Sequence, residues 1–163
     1  MSTETSQAMP LIPQFDELQK SFLETPYLPI DKRLVLLKKL RVRIVELEQE
    51  LVDAASKDFG YRTAFDTLLG DILPTVQTLA WNYPIQLALV PVLTAIAAGN
   101  RVMLKLSEFT PHTNAVIEKI FKDDLQAHCK IIQGGSDVAA QFSSLPFAHL
   151  LFTGSTAVGK LVM

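Results

Sequence analysis

The chain has 163 residues, of which 48% are hydrophobic and 20% are charged, and its formal net charge is -2. This length predicts one ordinary domain with a real core, and the composition excludes a disordered tail. The charge balance argues against a nucleic-acid-binding surface, because the basic run at 38–43 is followed by acidic residues at helical spacing.

The N-terminal part of the chain is predicted to be helical. Residues 1–28 are polar with scattered prolines, and we expect a loose lead-in with a short helix over 15–22. Asp31 is the candidate N-cap of a long amphipathic helix that ends at Gly60, because leucine and isoleucine recur between them at helical spacing. A second helix is predicted over 63–76.

Beyond residue 80, short apolar runs alternate with helical patterns. Helices are predicted over 84–98, 113–124 and 136–142, and strands over 102–106, 130–133 and 149–152. Because each strand is followed by a turn and a helix, the pattern predicts right-handed crossovers and a parallel sheet covered by helices on both faces. The expected fold class is therefore α/β, with the helices of the N-terminal part preceding the sheet.

Polar residues follow two of the predicted strands. Lys105, Ser107 and Glu108 lie just past one strand end, and Gly154 and Ser155 lie just past another. Ligands of parallel sheets bind at the carboxyl ends of the strands. A lysine there can pair with a ribose or phosphate oxygen, a carboxylate can accept from ribose hydroxyls, and a serine that opens a helix can meet a phosphate. A Gly-Ser-Thr turn before a helix is also what ordinary N-capping produces.

The single cysteine, Cys129, bears on the compartment. One cysteine forms no internal disulfide, which fits a reducing environment. The polar, acid-containing N-terminus does not resemble a secretory leader. The apolar stretch 87–98 contains Pro91 and is shorter than the roughly 20 residues that cross a bilayer. We therefore expect a cytoplasmic protein without a membrane span, and the three histidines lack the spacing of a metal site.

Two ordered motifs resemble those of the aldehyde dehydrogenase superfamily. They are Trp81-Asn82-Tyr83-Pro84, with the stretch from Ala97 to Glu108 after it, and Phe152-Thr153-Gly154-Ser155. The resemblance covers the chain from about residue 31 onward. It implies a Rossmann-like sheet, a partial cofactor-binding domain over 29–163, NAD or NADP as cofactor, and oxidation of an aldehyde to a carboxylic acid. Tyr83 and the Gln86-Leu87 pair look most like the branch that handles hydrophobic aldehydes, including coniferyl-aldehyde-type enzymes.

The resemblance also implies roles for particular residues. Trp81 would lie beside the pyrophosphate, and Asn82 would donate to the oxyanion of the thiohemiacetal, where an aimed amide stabilises developing charge. An alternative role for Asn82 is to cap the helix that begins at Pro84. The remaining cofactor contacts would come from both strand ends: Lys105, Ser107 and Glu108 near the adenosine ribose, Gly134 near the adenine end, Ser155 with Gly154 at a phosphate, Val158 near the adenine, and Phe152 near the nicotinamide.

The chain also departs from the family pattern. The family's oligomerisation hairpin and first cofactor-domain strand are expected to be missing just before Trp81, and Leu106 replaces a proline. The catalytic cysteine and glutamate of the family are not recognised in the 163 residues, and Cys129 has no motif around it. We therefore expect a chain that is inactive alone. The alternatives are a non-catalytic nucleotide-binding module and an assembly partner whose open sheet edge favours a homo- or hetero-oligomer.

Overall fold

The computed structural model describes residues 11–60, 62–73, 75 and 84–162. Its first helix, α1, spans Leu11–Glu24. The helix predicted over 15–22 is therefore present, and it is longer than predicted at both ends. Pro13 lies in the first turn of α1, where a missing N–H needs no partner. Helix α1 packs against the second strand of the sheet, and Ser21 Oγ donates to the carbonyl of Ala127 at 3.1 Å.

The predicted long helix is two helices, α2 (Ile30–Glu46) and α3 (Glu48–Phe59), which meet at Leu47. Asp31 lies in the first turn of α2 and is not its N-cap, so that prediction is wrong; Pro29 precedes the helix. The break at Leu47 lets α2 pack on the helix at 84–97 while α3 packs on the helix at 111–120. Helix α3 ends at Gly60 with a φ of 72°, as predicted for a glycine C-cap.

The next segment begins with a short helix, α4 (Ala64–Thr67), which continues as a π-helical turn, Leu68–Ile72. Thr63 starts it with a capping box: its hydroxyl accepts from the Asp66 amide, and the Asp66 carboxylate accepts from the Thr63 amide. Helical structure in the predicted 63–76 region is therefore present, although Pro74 and residues 76–83 lie outside the described part of the chain.

The C-terminal half contains a parallel sheet. In chain order it comprises α5 (Pro84–Ala97), β1 (Val102–Lys105), α6 (Pro111–Ile120), a 3-10 turn (Asp123–Ala127), β2 (Cys129–Ile132), α7 (Ser136–Ser143) and α8 (Thr156–Val162). Strands β1 and β2 are parallel, with Val102 opposite Cys129 and Lys105 opposite Ile132. The predicted α/β class and the parallel pairing are confirmed.

The predicted third strand over 149–152 is wrong. The segment has no strand conformation, and every residue from 148 to 158 is exposed. In the strand order 3-2-1-4 of doubly wound sheets, the fourth strand pairs with the first. The residues just before Trp81, where a first strand belongs, lie outside the described part. Within the described residues, 149–152 therefore has no neighbouring strand to supply backbone partners.

One hydrophobic core joins α2, α3, α5 and α6. The aliphatic residues with no more than 1% exposure come from these helices and from the segment that follows α6: Leu40, Ile44, Leu51, Ala55, Ile85, Leu89, Ile96, Ile117, Ile120 and Leu125. Because these helices are packed in one core, they hold the ends of β1 and β2 in fixed positions. Among the described residues, no helix combines the length and the apolar character that a bilayer crossing requires.

Candidate cofactor site

The carboxyl end of β1 presents a lysine and a glutamate. Lys105 Nζ lies 3.0 Å from Glu108 Oε2, and the two side chains are 14% and 39% exposed. A hydrogen bond from the backbone N–H of Glu108 and one from Lys105 hold the pKa of the Glu108 carboxyl below its usual value. Glu108 is therefore ionised at neutral pH, and it can accept hydrogen bonds from sugar hydroxyls at an accessible strand end.

Leu106 stabilises the turn after β1, at the position where the family pattern has a proline. Its side chain is buried, and its backbone N–H donates to the carbonyl of Ile132 at 3.0 Å. A proline has no N–H to make this bond. Leu106 therefore restrains the start of the turn through one further bond to β2 and through burial of its side chain.

Ser107 uses its polar atoms within the turn. Its carbonyl accepts from Asn114 Nδ2 at 2.7 Å, and its hydroxyl accepts from the backbone N–H of Phe109 at 3.3 Å. Asn114 is buried and its Oδ1 accepts from the Thr110 hydroxyl at 3.2 Å. These bonds give Ser107 a structural role in shaping the turn before Glu108, while its contact with a cofactor stays a prediction. The supporting residue, Asn114, was missed by sequence reasoning.

A carboxylate from α3 fixes the helix after the turn. Asp58 accepts from the backbone N–H groups of His112 and Thr113, at 3.0 and 2.7 Å. It thereby caps the N-terminus of α6 from a position 54 residues earlier. No local pattern could have revealed this cap, because its partners become neighbours only when α3 packs on α6.

The carboxyl end of β2 requires glycine at position 134. Gly134 has a φ of 142°, and a Cβ built there would lie 2.7 Å from Val138 Cβ and closer still to Val138 Cγ2. Because Lys105 is opposite Ile132 in the parallel pair, the turns after β1 and β2 leave the same edge of the sheet. The structure therefore places Lys105, Glu108 and Gly134 at one sheet edge, where a ligand of an α/β domain binds.

The second predicted motif, at residues 152–155, is stabilised by contacts within its own segment and with α8. Gly154 lies under the ring of Phe152: an added Cβ would be 3.1 Å from Phe152 Cε1. Ser155 Oγ accepts from the Val158 N–H at 3.3 Å, as an N-cap of α8 does. Within the described residues, no hydrogen bond or ion pair joins this exposed segment to Lys105, Glu108 or Gly134. The phosphate contact of Ser155 and the ligand contacts of Phe152 and Val158 stay predictions.

Trp81 and Asn82 lie outside the described residues, but the helix that follows them is described. Asp71, on the π-helical turn, accepts from the backbone N–H of Gln86 at 3.1 Å. Its other oxygen is 2.5 Å from Arg62 Nη2, and both side chains are buried. Burial raises the pKa of the Asp71 carboxyl to about 6, so it is largely ionised at neutral pH.

A parallel α/β sheet that presents polar side chains at the carboxyl ends of its strands is the arrangement of nucleotide-binding α/β domains. The sequence model of the aldehyde dehydrogenase family matches residues 74–163, more than half of the chain. The chain belongs to the aldehyde dehydrogenase family.

Two curated relatives share this sequence along most of its length. A probable coniferyl aldehyde dehydrogenase of Pseudomonas aeruginosa is 33% identical over 194 residues, which cover 91% of this chain and 40% of the relative. The coniferyl aldehyde dehydrogenase of Pseudomonas sp. strain HR199 is 33% identical over 188 residues, covering 91% and 39%. The chain thus spans about two fifths of these relatives. Both alignments are longer than the 163 residues, so each relative has residues without a counterpart here.

A solved structure shows the same fold. A substrate-bound state of Staphylococcus aureus AldH matches with a TM-score of 0.85 and 24% identity, over 94% of this chain and 43% of that chain. The match supports the assignment of β1, β2 and their helices to the aldehyde dehydrogenase fold.

Proposed function

We propose that the end of β1 and the end of β2 hold the adenosine part of NAD or NADP. The observation that carries the proposal is the ion pair of Lys105 and Glu108 beside a glycine turn at one sheet edge. Glu108 would accept from ribose hydroxyls and Lys105 would donate to ribose or phosphate oxygens, while Gly134 leaves room for close backbone approach. When bound, the cofactor supplies an acceptor for the hydride of an aldehyde substrate.

The reaction proposed for the whole protein is oxidation of an aldehyde to a carboxylic acid. The names of the Pseudomonas relatives support coniferyl aldehyde, or another hydrophobic aldehyde, as substrate. Trp81 would lie against the pyrophosphate, and Asn82 would donate its amide to the developing oxyanion. The free cysteine, Cys129, fits a reducing compartment, which supports a cytoplasmic location.

These 163 residues are proposed to be inactive without further protein. Their one cysteine, Cys129, is 1% exposed, and burial raises the pKa of its thiol. A protonated, inaccessible thiol is a poor nucleophile. The purified chain, mixed with NAD or NADP and coniferyl aldehyde, should therefore form no reduced cofactor above the rate without protein. Formation of reduced cofactor by the chain, but not by a heat-denatured sample, would contradict this proposal.

Calorimetry tests the cofactor site directly. Glu108→Gln and Lys105→Met should each weaken the binding of NAD by about tenfold or more, because each removes a charge-assisted hydrogen bond worth about 1.5–3 kcal/mol. Lys119→Met is the matched control, since Lys119 pairs with Glu50 on the surface between α6 and α3. The control should bind NAD as the wild type does. No heat from the wild type at millimolar NAD and NADP would rule out cofactor binding.

A second candidate function is assembly with another chain of the same family. It is favoured by the exposed segment 149–152, which has no strand partner among the described residues, and by the relatives' extra residues. An exposed segment without a strand partner can pair with a strand of another chain. Sizing chromatography of the chain mixed with a full-length relative should then show a complex. Two peaks that elute as the separate proteins do would exclude this function.

A further inference from the structure

Phe109 is an exposed aromatic residue in the turn that follows β1. It is 81% exposed, and this makes it the most exposed of the nine phenylalanines of the chain. A phenylalanine in water forgoes the favourable free energy of burying its ring. No motif of the sequence indicates a role for Phe109. Because the turn lies at the sheet edge where ligands of α/β domains bind, the exposed ring is a candidate ligand contact.

Phe109 and Glu108 are the two central residues of one turn. The turn runs from Ser107 to Thr110, and the backbone N–H of Thr110 donates to the carbonyl of Ser107 at 3.5 Å. The backbone N–H of Phe109 also donates to the Ser107 hydroxyl, at 3.3 Å. The ring of Phe109 therefore leaves the tip of the same turn as the carboxylate of Glu108, from a Cα atom about 3.8 Å away.

The base of this turn is anchored by two buried polar residues, Thr110 and Asn114. Asn114 Oδ1 accepts from the Thr110 hydroxyl at 3.2 Å, and its backbone N–H donates to the Thr110 carbonyl at 2.9 Å. Asn114 Nδ2 donates to the carbonyl of Ser107 at 2.7 Å. The backbone of Phe109 is therefore fixed from both sides although its ring is exposed. A ring presented in this way loses little conformational freedom when a ligand binds, which favours binding.

We propose that the ring of Phe109 stacks on the adenine base of the cofactor. The inference rests on the proposed function, in which Glu108 accepts from the hydroxyls of the adenosine ribose. The base is bonded directly to that ribose, so it lies close to the side chain that neighbours Glu108 on the turn. Aromatic side chains bind bases through the π faces of both rings. Gly134, at the same sheet edge, leaves the β2 side open to the base.

Calorimetry with AMP and with ribose 5-phosphate separates stacking from sugar binding, because both probes have the ribose and the phosphate but only AMP has the base. Phe109→Ala should weaken the binding of AMP by about 5- to 150-fold, the effect of losing one stacked base, and leave ribose 5-phosphate unchanged. Glu108→Gln should weaken the binding of both probes. Phe109→Tyr keeps the ring and should bind AMP as the wild type does. Phe109→Leu keeps apolar bulk without a π face and should bind AMP more weakly.

Phe65→Ala is the matched control, since Phe65 on α4 is also largely exposed, at 69%. It should bind AMP as the wild type does, and both alanine variants should unfold at the wild-type temperature. Equal AMP affinity for wild type and Phe109→Ala would overturn the stacking proposal and leave the cofactor site standing. No binding of AMP or NAD by the wild type would instead count against the proposed function. If ribose 5-phosphate binds too weakly to measure, the comparison of Phe109→Tyr with Phe109→Leu decides.

Discussion

Replacing Gly134 with alanine should destabilise the protein by about 2–5 kcal/mol. The estimate combines about 1–2 kcal/mol for an L-residue in left-handed backbone with about 1–3 kcal/mol for overpacking. Gly134 has a φ of 142°, and its added Cβ would collide with the side chain of Val138. Val138 is buried on α7, so it has little room to move. Urea denaturation of the purified variant measures the loss.

Gly60→Ala is the control for this substitution. Gly60 also has a positive φ, 72°, but nothing lies within 4 Å of the Cβ that alanine would add. Gly60→Ala should therefore be destabilised only by the cost of an L-residue at a positive φ, about 1–2 kcal/mol. If Gly134→Ala costs no more than Gly60→Ala, then Val138 relaxes and the close packing at the end of β2 is not what requires glycine.

Replacing Arg62 with methionine should destabilise the protein by about 3–5 kcal/mol at about pH 8, because it leaves the Asp71 carboxylate buried without its cation. The loss should be much smaller at about pH 4, where Asp71 is protonated in the folded state. Burial already raises the pKa of Asp71 from 3.8 to about 6. Removing the guanidinium raises it further, so the difference between variant and wild type grows as the pH rises.

The contribution of Asp71 to the stability of the wild type also falls as the pH rises, but less steeply than in Arg62→Met. Because the folded-state pKa of Asp71 is above the ordinary value, the folded protein binds this proton more tightly than the unfolded chain does. Its contribution to stability is therefore complete below about pH 4 and is lost as the pH rises through about 6. In Arg62→Met combined with Asp71→Asn, which has no charge at position 71, this dependence should disappear. Urea midpoints at a series of pH values measure it, and an unchanged slope in the double variant would assign the dependence to another group.

Local sequence signals were sufficient for much of the fold. Gly60 ends α3 because a glycine C-cap is a local device, and the apolar runs around Leu104 and Ile131 became β1 and β2. The break at Leu47 was not predicted, because the segments on both sides of it are amphipathic helices. The helical spacing of apolar residues therefore continues across the break. The segment 149–152 has a strand-like sequence, but a strand also needs a neighbour, and sequence alone does not show whether one is present.

The residues of the candidate site also form two groups: those that the sequence indicates and those that it does not. Lys105 and Glu108 were recognisable because they stand at the end of an apolar strand in a parallel pattern, and Gly134 because it matches the family motif. The residues that hold the surrounding backbone were not recognisable. Asp58 and Asp71 each cap a helix that lies far along the chain, and Asn114 supports the turn before Glu108 only after α6 has packed. Such bonds depend on tertiary contacts and leave no spacing pattern in the sequence.

The docking of α1 has a consequence for the order of folding. Ser21 bonds to Ala127 across 106 positions, Glu17 pairs with Lys130 at 2.9 Å, and the ring of Phe15 meets that of Phe147 at 5.5 Å. During synthesis, the first helix therefore has no docking surface until β2 and the segment after α7 have left the ribosome. Closing so long a loop is entropically costly, so α1 should dock late and its apolar face should be a target for chaperones until then.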